Sequence, residues 1–134
     1  MRNALALFLA LHFSRVFAVP VEEVALIVRT RGIVTVAYGQ GRKKLVVDKG
    51  YIALPGAHLQ TGRRGFAEIL LVRSRSRFFM HSNSEAAIIL ARQEGKFKET
   101  VQLRFGTIAG TITAPKSAVC QLTTPLTIID APKG

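Results

Sequence analysis

The sequence predicts an all-β domain of short antiparallel strands, in a solenoid-like or twisted-sandwich arrangement, preceded by a signal peptide. Three observations predict it. Chain-reversal signals recur at Gly39-Gln40-Gly41, Asp48-Lys49-Gly50, Pro55-Gly56 and Gly62, spaced too densely for helices between them. Phe66 to Val72 is an apolar run of strand length, bounded by charge. Ile33 to Tyr38 alternates, with Ile33, Thr35 and Ala37 on one face and Val34, Val36 and Tyr38 on the other.

The first eighteen residues are set apart from the domain. Arg2 supplies a positive end, Ala4 to Phe13 an apolar stretch of about ten residues, and Val16-Phe17-Ala18 a signal-peptidase site. Cleavage after Ala18 is expected, leaving residues 19–134 as one periplasmic or secreted domain. His12 and Arg15 are polar for such a leader, so an uncleaved anchor or amphipathic arm is the alternative. The longest uncharged apolar segment falls short of a bilayer span, and no transmembrane span is expected once the leader is removed. At 134 residues the chain is large enough to fold alone, removing roughly 65–70% of its unfolded surface from water.

Val21 to Val28, an apolar run carrying Glu22 and Glu23, is read as a first strand rather than a helical turn. Ile33 to Tyr38 then returns through Gly39-Gln40-Gly41 into Leu45 to Val47 as a hairpin, with Lys43 and Lys44 protecting its edge. Tyr51 to Leu54 and His58 to Thr61 are short strands on either side of Pro55-Gly56. Phe66 to Val72 follows, and Arg73-Ser74-Arg75-Ser76-Arg77 would, as strand, set three guanidinium groups on one face roughly 6.6–6.8 Å apart. Phe78 to Met80 and Ala86 to Leu90 are further strands, and Arg92 to Lys96 is a hairpin loop in which Gly95 takes positive φ at little cost. Thr100 to Phe105 returns from it. Gly106 and Gly110 interrupt Thr107 to Thr113, where a strand glycine marks a bulge or a close backbone approach. Val119 to Thr123 and Leu126 to Ile129 complete the pattern.

The formal charge is +11, two of it carried by Arg2 and Arg15 in the leader. Such a chain attracts polyanions and anionic surfaces over roughly a Debye length. An exported domain rarely meets nucleic acid, so lipid head groups, acidic polysaccharide or an acidic protein face are the candidate anions. The plainer reading is that the charge keeps a β-rich surface soluble. The same two readings apply to the arginine row: gatekeepers flanking apolar strands, or an anion-binding surface of Arg63, Arg64, Arg73, Arg75 and Arg77.

Catalytic and metal chemistry finds no footing. His58, His81 and Cys120 are far apart and lie in no HExxH or CxxC pattern, so no metal and no cofactor is expected. No nucleophile elbow is present. Gly39-Gln40-Gly41 is followed by strand-like residues rather than a helix N-terminus, which is a poor phosphate cradle. Cys120 is the sole cysteine of the sequence, which excludes an internal disulfide. It reads as a buried small hydrophobe, with an exposed thiol linking two chains as the alternative.

The central pattern resembles the FecR domain, a periplasmic β-domain named for a bacterial iron-uptake regulator. Its carriers are Gly32, Asp48-Lys49-Gly50-Tyr51, Leu54, Leu59-Gln60-Thr61-Gly62, Gly65 to Leu71, Val101 to Ile108 and Thr124-Pro125. Arg73 to Arg77 stands where the family has an Asp-Gly-Ser type of turn, and Asp130 to Gly134 where it has Arg-Gly-Thr. The resemblance implies an all-β module, non-enzymatic, that binds an envelope protein or polysaccharide through a sheet face or edge. Edge pairing gains affinity from main-chain hydrogen bonds. Binding of an acidic glycan or lipid head group through the arginines is the alternative function.

Overall fold

A computed structural model describes residues 22–39, 43–113, 115–125 and 128–130. The leader and its cleavage site lie outside them, as do Gln40 to Arg42 of the first hairpin turn. The described residues form twelve strands: β1 (Ala25–Arg31), β2 (Val34–Tyr38), β3 (Leu45–Val47), β4 (Ile52–Ala53), β5 (Ala57–Thr61), β6 (Phe66–Leu71), β7 (Arg77–Met80), β8 (Glu85–Gln93), β9 (Lys96–Phe105), β10 (Ile108–Thr111), β11 (Ala118–Thr123) and β12 (Ile128–Asp130). Among them no helix is long and apolar enough to cross a membrane.

Two sheets result, a five-stranded one in the order β10-β7-β6-β1-β4 and a seven-stranded one in the order β12-β11-β9-β8-β5-β2-β3. Their inner faces share one core: Ile27, Ile69, Leu71, Phe78 and Met80 from the first meet Val34, Val36, Leu59, Ile88, Val101 and Cys120 from the second. The all-β expectation holds, in its sandwich form. Val34 and Val36 point inward, as the alternation of β2 requires, and Leu45 to Val47 pairs back on it antiparallel. Lys43 and Lys44 are exposed at this edge, where the Lys44 ammonium donates to Gln60 Oε1 at 2.7 Å.

Three features depart from the expected pattern. The β8–β9 hairpin is long, nine and ten residues, because its loop contracts to Glu94 and Gly95, both at positive φ. A two-residue turn of that kind carries the twist of the flanking strands, so pairing runs to Gln93 and Lys96. Secondly, β11 pairs parallel to β9, Ala118 with Phe97 through Thr123 with Gln102, so the sandwich is not wholly antiparallel. The chain crosses to the other sheet as β10 before returning, which is the kind of connection a parallel pair needs.

The third concerns Arg73 to Arg77, which do not form one strand. Residues 72–74 turn the chain between antiparallel β6 and β7, and β7 begins only at Arg77. The alternation of exposure survives: Ser74 and Ser76 are buried, Arg75 and Arg77 exposed. The backbone does not extend because the serines are held locally. Ser74 and Ser76 hydroxyls lie 2.9 Å apart, Ser76 N–H donates back to Ser74 Oγ, and Thr113 N–H donates to Ser76 Oγ at 3.0 Å.

Both interrupting glycines mark close approaches. A Cβ on Gly110 would stand 2.3 Å from the carbonyl oxygen of Arg77 on the neighbouring strand. At Gly106, with φ of 96°, it would stand 2.2 Å from Ser84 Oγ, which itself accepts the Thr107 N–H at 2.8 Å.

Candidate binding face

The outer face of the five-stranded sheet gathers more chemistry than any other part of the described surface. Along β6, Ala67, Ile69 and Leu71 enter the core, so Phe66, Glu68 and Leu70 face out. On β7, Phe78 and Met80 enter and Arg77 and Phe79 face out. In β1 the matter is less direct. Ala25 and Ile27 point inward opposite Leu71 and Ile69, and simple alternation would send Arg29 and Arg31 inward after them.

A β-bulge prevents this. Between Ile27 and Arg29 the register with β6 shifts, so that Val28 is the extra residue and Arg29 falls opposite Glu68, Arg31 opposite Phe66. One unpaired residue therefore re-aims two guanidinium groups from the core to the outer face.

The groups so gathered touch. Arg29 Nη2 lies 3.1 Å from Glu68 Oε1 and Arg77 Nη1 2.8 Å from Glu68 Oε2, so one carboxylate serves two guanidinium groups. The Glu68 side chain is 7% exposed, those of Arg29 and Arg77 60% and 50%. Arg29 and Arg31 also stand over the Phe66 ring, 5.5 and 5.4 Å from its centroid. Phe79 stacks beside that ring at 6.1 Å, and the His81 imidazole meets it edge-on at 6.2 Å. The result is a cationic and aromatic platform with a single acid at its centre.

Next to it on the same face is an apolar groove of about 270 Å³, floored by Leu26, Ile52, Leu70 and Val72 and rimmed by Glu23 and Arg75. Leu26 pairs with Ile52 on one side and Leu70 on the other, which makes the floor continuous across three strands.

The arginines singled out in the sequence are not brought together as one surface. Arg63 and Arg64 are exposed in the turn before β6, Arg64 with φ of 60°, whereas Arg73 and Arg75 lie in the turn after it. Six strand residues separate the two turns, a distance of about 20 Å. Arg73 stands over Phe97 of the other sheet, 4.4 Å from the ring centroid, and Arg77 is paired to Glu68. Of the five, Arg77 alone belongs to the platform. Arg29, Arg31, Phe66 and Phe79 were missed by sequence reasoning; the expected first strand ends at Val28, whereas β1 runs on to Arg31, and the bulge that sets the two arginines on the outer face has no mark in the sequence.

The other candidate groups are dispersed. His58 is half-buried on β5 opposite Ala37 and Ala87, Cys120 is buried in the core, and no three His, Cys, Asp or Glu side chains cluster among the described residues. A separate polar pair ties β2 to the turn before β4: the Tyr38 and Tyr51 hydroxyls lie 2.8 Å apart, and Leu54 N–H donates to Tyr38 Oη at 3.2 Å. Burial, reinforced by the hydrogen bond with Tyr38, pushes the Tyr51 phenol up to about 12.

No family model, curated protein or solved structure matches this chain. The likeness to the FecR domain therefore rests on the sequence pattern alone.

Proposed function

We propose that this domain is a non-catalytic binding module of the cell envelope that takes an acidic polysaccharide on the outer face of its five-stranded sheet. One observation carries the reading: Arg29, Arg31 and Arg77 converge around Phe66 and a single carboxylate, leaving a local excess of positive charge on an exposed, strand-built surface. Guanidinium forks match the geometry of sugar carboxylates or sulfates. The half-buried Phe79 ring beside them offers an apolar patch to the face of a sugar ring. A rigid sheet sets the spacing of both, which lowers the ordering cost of binding. The arginine-based alternative is thus kept with a different set of arginines.

The test is retention on an immobilised uronic-acid polymer, against a neutral dextran, at increasing salt. Binding should weaken steeply with salt, and Arg29→Gln with Arg31→Gln should reduce affinity at least tenfold while Arg63→Gln with Arg64→Gln leaves it unchanged. Equal retention on dextran, or affinity indifferent to salt, would sink the proposal.

A second reading, capture of a protein partner by strand addition, is favoured by β3. It is an edge of the seven-stranded sheet, and it exposes Leu45 and Val46 to 55% and 74%. Replacing Val46 with Pro, which removes a ladder N–H, should abolish capture under this reading and leave polymer binding intact.

A further inference from the structure

The opposite end of β6 holds a second cationic arrangement, made by both sheets together. Phe97 near the start of β9 lies directly across from Arg92 on β8, and the guanidinium carbon of Arg92 stands 4.6 Å from the Phe97 ring centroid. Arg73 reaches the same ring from the other sheet at 4.4 Å. The two charged groups can be no farther apart than those distances laid end to end.

Two like charges over one ring call for a counter-charge, and among the described residues no carboxylate forms an ion pair with either guanidinium group. Both ion pairs among the described residues use Glu68, which is committed to Arg29 and Arg77. Glu99, next to this end of the sandwich, is buried with both oxygens occupied by the backbone N–H groups of Arg73 and Ser74. Arg73 Nη1 donates to the carbonyl oxygen of Glu23, which fixes the side chain without neutralising it. Arg73 is thereby positioned three times: at its backbone by Glu99, at its planar face by Phe97, and at one nitrogen by Glu23.

We propose that Arg73 and Arg92, held over Phe97, bind a tetrahedral oxyanion, the phosphate or sulfate group of a larger ligand. The ring takes up the cation–π contact of both guanidinium groups, and the N–H groups not engaged by Glu23 remain to point at one acceptor. Such an anion, taking a hydrogen bond of about 2.8 Å from each, bridges a gap of this size. A lipid phosphate and a phosphate or sulfate ester on a polysaccharide carry the same group. The site lies at the far end of β6 from Phe66 and uses none of the platform residues, so it stands or falls independently of the polysaccharide reading.

The experiment follows arginine side-chain Nε–Hε signals of the folded domain during titration with inorganic phosphate, against sodium chloride at matched ionic strength. Saturable shifts confined to Arg73 and Arg92 are expected. Arg92→Gln should weaken phosphate binding at least tenfold with an unchanged melting temperature, because Arg92 is exposed, and Phe97→Leu should weaken it with both charges retained. Shifts that never saturate, or that are shared equally by Arg29 and Arg31, would overturn the site. Phosphatidylglycerol vesicles and a soluble sulfated polysaccharide then distinguish the sources: the one whose binding falls in Arg92→Gln is the ligand class, and loss of neither refutes the proposal.

Discussion

Glu99 Oε1 accepts the backbone N–H of Ser74 at 2.8 Å, and its other oxygen that of Arg73 at 3.1 Å. The carboxylate belongs to β9 of the seven-stranded sheet, and the turn it holds joins β6 to β7 of the other. A fully buried acid therefore fastens the two layers through main-chain groups. Glu99→Ala should cost about 3 kcal/mol in urea unfolding, since two buried N–H groups lose their acceptor. Glu99→Gln should cost less, because one oxygen remains, but more than a surface substitution, because its amide sets a donor against a donor.

At the platform, Glu68 limits the net charge. Glu68→Gln keeps the shape and removes the acid shared by Arg29 and Arg77. Affinity for the uronic-acid polymer should rise severalfold, with a steeper dependence on salt. The stability change should stay within about 1 kcal/mol, as both arginines are largely solvated. An unchanged affinity would place polymer contact elsewhere.

Gly106→Ala meets two obstacles at once, a φ of 96° and a Cβ driven to 2.2 Å from Ser84 Oγ. A loss of at least about 2 kcal/mol is expected, read as a shift in the urea midpoint with unaltered slope. Ser84→Gly in the same chain should recover only part of it, because it relieves the contact with the hydroxyl and leaves the backbone strain.

Tyr51 makes stability sensitive to alkali. Its phenol is raised in the folded protein from an ordinary 10.0 to about 12, so the folded state holds the proton more tightly than the unfolded chain. The contribution is fully present below pH 10, and declines as pH rises through about 12. Unfolding measured from pH 9 to 12, with phenolate absorbance followed alongside, should show this decline, and Tyr51→Phe should flatten it.

The strands themselves were largely legible. Alternation in Ile33 to Tyr38 and the apolar run at Phe66 mark β2 and β6 because Val34 and Val36, and Ala67, Ile69 and Leu71, fill the core at every second position. The parallel pairing of β11 with β9 was not legible, since it depends on a crossover that leaves no local mark. Arg73 to Arg77 misled in an instructive way. Its polar alternation is real, but the buried serines answer to Glu99 and Thr113, residues distant in sequence, and no window of five can register them.

Val28 carries the same lesson into inheritance. Because the bulge at Val28 decides on which side Arg29 and Arg31 emerge, the recognition surface of β1 depends on the path of the strand as much as on its letters. Deleting Val28 would remove the bulge and leave Arg29 opposite Glu68, whereas a strand that kept Val28 without the bulge would drive two guanidinium groups toward Ile69 and its neighbours. Relatives of this domain that keep both arginines but lack the extra residue would then present the same surface on a regular strand, so a gap at this point is neutral for recognition where a straightened Val28 is not.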